Sequence, residues 1–130
     1  MKHNTLLLRV ALAIIFLTHG LPGMFNGGVN AFGNLFLNQI GFAPLGVPIA
    51  WAIKISHVVC AVLLVFNRYI KPASIMTIFI LVMGIVFVHF KEGWFVVGGG
   101  RNGVEYNLLL IVVLVYIMFP SGLKKSVLNP

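Results

Sequence analysis

The stretch Ala50–Phe66, Ala-Trp-Ala-Ile-Lys-Ile-Ser-His-Val-Val-Cys-Ala-Val-Leu-Leu-Val-Phe, is apolar enough to cross a bilayer, yet it carries Lys54, Ser56 and His57. A charge in the middle of a span costs about 2.5–3.5 kcal/mol on insertion scales, so it is retained where a protein interior or a wet cavity receives it. On a helix, Ala50, Lys54, His57 and Ala61 fall on one face. Two small residues bracket two titratable ones, and that face is expected to turn away from lipid.

The rest of the chain has the same character. Of its 130 residues, 60% are hydrophobic and 8% charged, more apolar surface than a soluble domain of this length can hide. Apolar runs predict spans at about 6–22, 47–66, 72–90 and 104–119. The first and last are short against the roughly 20 residues a span needs, so they must draw in adjoining sequence or thin the bilayer. The expected fold is an all-α membrane protein: one transmembrane domain over residues 1–130, built as an antiparallel four-transmembrane-helix bundle. Lys2 ahead of Leu6–Leu17 also resembles the start of a signal peptide, but Thr18-His19-Gly20-Leu21-Pro22 offers no small-x-small cleavage site, so a retained first helix is expected. Pro22-Gly23 should end that helix.

Between the first two spans, Gly23–Gly46 holds no charged residue. Val29, Phe32, Leu35, Phe36 and Ile40 recur at helical spacing with Asn30, Asn34 and Asn38 opposite, the pattern of a short amphipathic helix in the membrane interface. Gly98-Gly99-Gly100-Arg101-Asn102-Gly103 formally matches a dinucleotide-binding fingerprint. It lies between spans and not in a βαβ unit, so it reads as a flexible glycine loop. Asn102 is the expected N-cap of the last helix, with Glu105 in its first turn.

The net charge of +7 does not indicate nucleic acid. Lys2, Arg9, Arg68, Lys71, Lys124 and Lys125 sit at the ends of apolar runs, where topology signals are placed. They put both termini on the cytoplasmic side of a bacterial-type inner membrane, with the uncharged first loop outside. Cys60 is the single cysteine and reads as a small buried hydrophobe.

Depth along four antiparallel helices gathers His19, Lys54, His57, His89, Glu105 and Asn107 in the outer half, leaving Arg9, Ser74, Thr77 and Tyr116 in the inner half. Three readings of the outer cluster compete. It locks helix packing as a buried polar network, with Lys54 paired to Glu105 directly or through His19 or His57. It binds a small molecule such as a quinone, with His19 and His57 as the catalytic proton carriers. Or it holds a metal or haem; no HExxH or ExxH spacing is present and Lys54 opposes a cation, so no metal is expected. Arg9 either snorkels to the headgroups or anchors the interior.

Leu8-Arg9-Val10, Phe16-Leu17-Thr18-His19-Gly20-Leu21, Leu63-Leu64-Val65-Phe66-Asn67 and Asn102-Gly103-Val104-Glu105-Tyr106-Asn107-Leu108-Leu109-Leu110 together resemble the DoxX family of small four-span membrane proteins. Arg9, His19 and Glu105 match the family's pattern. His57 stands where the family usually has an acid, and Asn67 where it commonly has Gly. The resemblance implies a membrane subunit linked to quinone redox chemistry, with a membrane redox partner subunit and a quinone as the cofactor class. The alternative is a non-catalytic scaffold or binding protein for a lipid-like ligand or a partner helix. Small residues at Gly20, Ala50, Ala61 and Gly84 would serve such contacts, and a homo-oligomer is compatible with them.

Overall fold

A computed structural model describes residues 4–98 and 100–122. Lys2, Lys124 and Lys125, which carry part of the topology argument, lie outside the described residues. The described residues form helices joined by loops, with no strand among them: α1 (Leu6–Phe25), α2 (Gly28–Ala31) leading into a π-wound segment (Phe32–Phe42) that breaks at Gly41, α3 (Gly46–Phe66), α4 (Ile70–Gly84) prolonged by a π turn (Ile85–His89) and a 3-10 turn (Phe90–Glu92), and α5 (Glu105–Met118). Three helical stretches, Leu6–Phe25, Gly46–Phe66 and Ile70–Glu92, are long and apolar enough to cross a membrane. With 14 residues, α5 reaches only about 21 Å at 1.5 Å per residue, short of the roughly 30 Å hydrocarbon core. The described residues therefore hold three helices of spanning length and a shorter apolar fourth.

Pro22 does not end α1, which runs on to Phe25. Proline removes one backbone donor inside the helix. The turn after it is closed by the Asn26 N–H donating to Pro22 O at 3.2 Å, and apolar helices absorb such a break readily.

α1 and α3 pack antiparallel. Arg9 meets Leu64, Phe16 meets His57, and Gly20 lies against Lys54 and Val58. The buried stripe of α1 is Arg9, Leu12, Ala13, Phe16 and Gly20, and α3 answers with Ala50, His57, Cys60, Ala61 and Leu64. A β-carbon on Gly20 would sit 3.2 Å from Lys54 O and 3.0 Å from Val58 Cγ2, so the small residue sets how closely the helices approach. α4 and α5 complete the core with Ala73, Leu81, Leu110, Leu114 and Ile117.

The segment between α1 and α3 is helical as its periodicity predicts, but most of it is wound as π. Two of its three asparagines hydrogen-bond to α3. Asn30 Oδ1 accepts the Trp51 indole N–H at 2.7 Å, and Asn38 Oδ1 accepts the Gly46 N–H at 2.8 Å. Val29 and Leu37 are buried with Ala50 beneath it. The segment is thus a shelf clamped to the start of α3. At the crossing, a β-carbon on Gly33 would fall 2.5 Å from Val47 Cα, and one on Gly46 would overlap Gly33 O. Backbone lies directly on backbone there. At its other end α3 stops at Asn67, in the left-handed conformation (φ 55°), which Gly and Asn adopt most readily.

Candidate functional site

The shelf, α1, α3, α4 with its π turn, and the start of α5 surround a partly open cavity of about 580 Å³, within the range of roughly 300–1,000 Å³ usual for small-molecule sites. Its wall is largely apolar: six phenylalanines, Phe16, Phe32, Phe36, Phe42, Phe79 and Phe87, stand among a larger number of aliphatic side chains. Phe32 stacks on Phe36 with centroids 5.6 Å apart, and Phe42 meets Phe87 edge-on at 5.3 Å. The polar side chains that reach it are His19, Lys54, His57, His89, Asn102, Tyr106 and Asn107. Sequence reasoning found most of these polar groups and missed the phenylalanines of the wall. The signal was the density of phenylalanines in 32–42, which looked like the apolar face of an interfacial helix.

His57 is buried, and its Nδ1 lies 2.7 Å from Ile53 O, one turn earlier. A carbonyl only accepts, so Nδ1 carries the proton and Nε2 of the neutral ring keeps its lone pair. The edge of Phe16 packs against the ring, centroids 5.4 Å apart. His89 repeats the arrangement: its Nδ1 donates to Asn102 O at 2.6 Å. A β-carbon on Gly84 would lie 3.8 Å from His89 Nε2 and 3.2 Å from Asn107 Nδ2, so the bare glycine leaves room for these polar groups to converge. Buried Asn107 donates from Nδ2 to Leu81 O at 3.1 Å. His19 is exposed and lines the same cavity.

Lys54 and Glu105 are not brought together. The Lys54 ammonium lies over the Phe32 ring, 5.4 Å from its centroid, a cation–π contact. The Glu105 carboxylate accepts the N–H groups of Val96 and Val97 at 2.7 and 3.1 Å. Both residues had been placed at similar depth, but depth does not fix the direction around a helix, and the amides of its own loop reach Glu105 first. The same loop is bound again by Val104 N–H donating to Gly93 O and Glu105 N–H to Trp94 O. Residues 93–97 are therefore held at the mouth of α5. Val104 occupies the N-cap position without a side-chain bond, so Asn102 is not the cap; its carbonyl serves His89 instead.

Arg9 is buried between α1 and α3. It is 8% exposed, and its guanidinium donates to Leu64 O at 2.7 Å and to Thr5 Oγ1 at 3.1 Å. A cation at the carbonyl end of α3 complements the helix dipole. Tyr116, expected at similar depth, is exposed on α5. Among the described residues no group of three His, Cys, Asp or Glu side chains lies close enough to hold a metal ion.

A family model described as DoxX matches residues 4–90. The match covers α1, the shelf, α3, α4 and the π turn, and with them Arg9, His19, Lys54, His57 and His89. It stops before the Asn102–Leu110 motif. No curated protein and no solved structure matches the chain.

Proposed function

The chain belongs to the DoxX family of small membrane proteins, and from that premise we propose that it holds a lipid-soluble, quinone-like ligand in the cavity as the integral membrane subunit of a redox complex. One observation carries the reading. A largely apolar cavity gathers His19, Lys54, His57 and His89 on its wall, and the two histidines with fixed Nδ1 protons keep Nε2 for a ligand. An apolar body suits the apolar wall, and a head group with polar oxygens suits the histidines. Quinone reduction takes up protons, and imidazoles exchange them near neutral pH. His57 and His19 are the proposed catalytic proton carriers, with His89, Asn107 and Lys54 binding the head. The electrons would come from a membrane redox partner subunit, since this chain has no cysteine pair.

In the same reading α5 serves as a fourth, short span, the chain is a single domain, and both termini face the cytoplasm of a bacterial-type inner membrane. Reporter fusions at each loop test the topology. The ligand is tested by extracting the purified protein and identifying co-purified lipids by mass spectrometry, alongside thermal unfolding with menaquinone and ubiquinone analogues. A bound quinone and a raised midpoint are expected. No co-purified quinone and no shift with any analogue would overturn the proposal.

A non-catalytic binding protein for a lipid-like molecule is the second reading. It is favoured by the polar-poor wall, and His57→Phe separates the two: a variant that keeps the ligand but loses the wild type's proton uptake supports redox chemistry, and a variant indistinguishable from the wild type supports simple binding.

A further inference from the structure

We propose that the cavity selects amphiphiles whose head group is an anion, an oxyanion on an apolar body, and that Lys54 recognises the charge. The inference deepens the proposed function and rests on the cavity being a ligand site.

The chain has two acidic residues, Glu92 and Glu105. Neither is among the described residues lining the cavity. Glu92 lies exposed in the 3-10 turn, and the Glu105 carboxylate is occupied by the Val96 and Val97 amides. Lys54 does line the cavity, half-buried, and the contact described for its ammonium is the face of Phe32 at 5.4 Å. A ring face offsets part of a positive charge and leaves the ammonium's three donors unused. In apolar surroundings a cation attracts an anion far more strongly than it does in water.

The other polar groups do not supply the missing charge. His57 and His89 are committed through Nδ1 to backbone carbonyls, and Asn107 Nδ2 to Leu81 O. None of these side chains carries negative charge. The described wall thus presents one lysine, no carboxylate, and a predominantly apolar body. That is the complement of an acidic amphiphile, either an ionised hydroxyquinone or quinol or a long-chain carboxylate.

The test uses pairs of ligands that differ in charge and little else, measured on the purified full-length protein in nanodiscs. One pair is a 3-alkyl-2-hydroxy-1,4-naphthoquinone, ionised at neutral pH, and its 2-methoxy ether. The other is palmitate and methyl palmitate. We expect the anion of at least one pair to bind about tenfold tighter than its neutral partner. Lys54→Met should abolish that gap and Lys54→Arg should preserve it. A gap in the naphthoquinone pair supports the inference with a quinoid head. A gap in the palmitate pair alone supports the inference and overturns the quinone assignment. Equal affinity within both pairs overturns the inference while leaving a site for neutral ligands. Failure of all four to bind overturns the inference together with the ligand-site reading. Should Lys54→Met not fold, the comparison within each pair on the wild-type protein still decides the preference for anions, and Lys54→Gln takes the place of Lys54→Met in testing the lysine.

Discussion

Replacing Arg9 by Met removes a buried guanidinium that ties α1 to the carbonyl end of α3. The bond to Leu64 O is short, 2.7 Å, the contact with Val65 O is long, 3.4 Å, and Thr5 contributes a bond at 3.1 Å. Hydrogen bonds to charged groups contribute about 1.5–3 kcal/mol in soluble proteins, whereas interhelical polar contacts in membranes average about 0.6 and reach about 1.7 kcal/mol. The dipole of α3 adds about 0.3–1 kcal/mol. Two effects pull the sum down. Leu64 O is not orphaned, because the Asn67 N–H still donates to it at 3.3 Å, and methionine relieves the desolvation of a buried charge. The expected loss is about 1–2 kcal/mol, with Arg9→Lys losing roughly half of that because it keeps the charge but not the fork of donors. Reversible unfolding by SDS in mixed micelles, followed by the fluorescence of Trp51 and Trp94, measures it. If both variants were as stable as the wild type, the guanidinium would lie among the headgroups and the anchor would be refuted.

Gly20→Val should cost about 1–3 kcal/mol by forcing α1 away from Lys54 O and Val58, and Gly20→Ala less; the same SDS titration reports both. Glu105→Ala should speed hydrogen exchange at the Val96 and Val97 amides and expose the loop to protease, whereas Glu105→Gln, which keeps an acceptor, should do so far less. The stability changes of Lys54→Met and Glu105→Ala should add in a double-mutant cycle, since the two side chains are not in contact; a clear coupling energy would contradict the described geometry. Asn67→Gly should be close to neutral and Asn67→Ala should lose about 1 kcal/mol, because alanine lacks the short polar side chain that lets asparagine tolerate a left-handed conformation (φ 55°), checked by thermal unfolding.

Which features were legible follows from what a one-dimensional pattern encodes. The apolar runs fixed the three long helices, and the shared face of Ala50, His57 and Ala61 appears as the buried stripe of α3, because both depend on local periodicity. The π winding of 32–42 was not legible: apolar residues three and four apart mark a helix without fixing its hydrogen-bond register. The departure of Asn67 from glycine made sense at once in the structure, since both residues tolerate a left-handed cap. The Lys54–Glu105 pairing failed for a different reason. Depth is readable from residue counting, but azimuth is set by tertiary packing, and no sequence spacing reveals that a loop will fold its amides back onto Glu105. His57, Lys54 and His89 line one cavity, while the tautomers that fix what each histidine offers depend on Ile53 O and Asn102 O, backbone atoms that carry no sequence signature.

The crossing of Gly33 over Gly46 has a consequence for how this protein can vary. A clash between side chains can be cured by trimming the neighbour, so most packed positions admit compensating pairs. Here the atoms facing each missing β-carbon include the main chain of Val47 and the carbonyl of Gly33, which no substitution can shorten. A selection for second-site suppressors of Gly33→Ala should therefore return true revertants and little else, and the two positions should drift neither singly nor together.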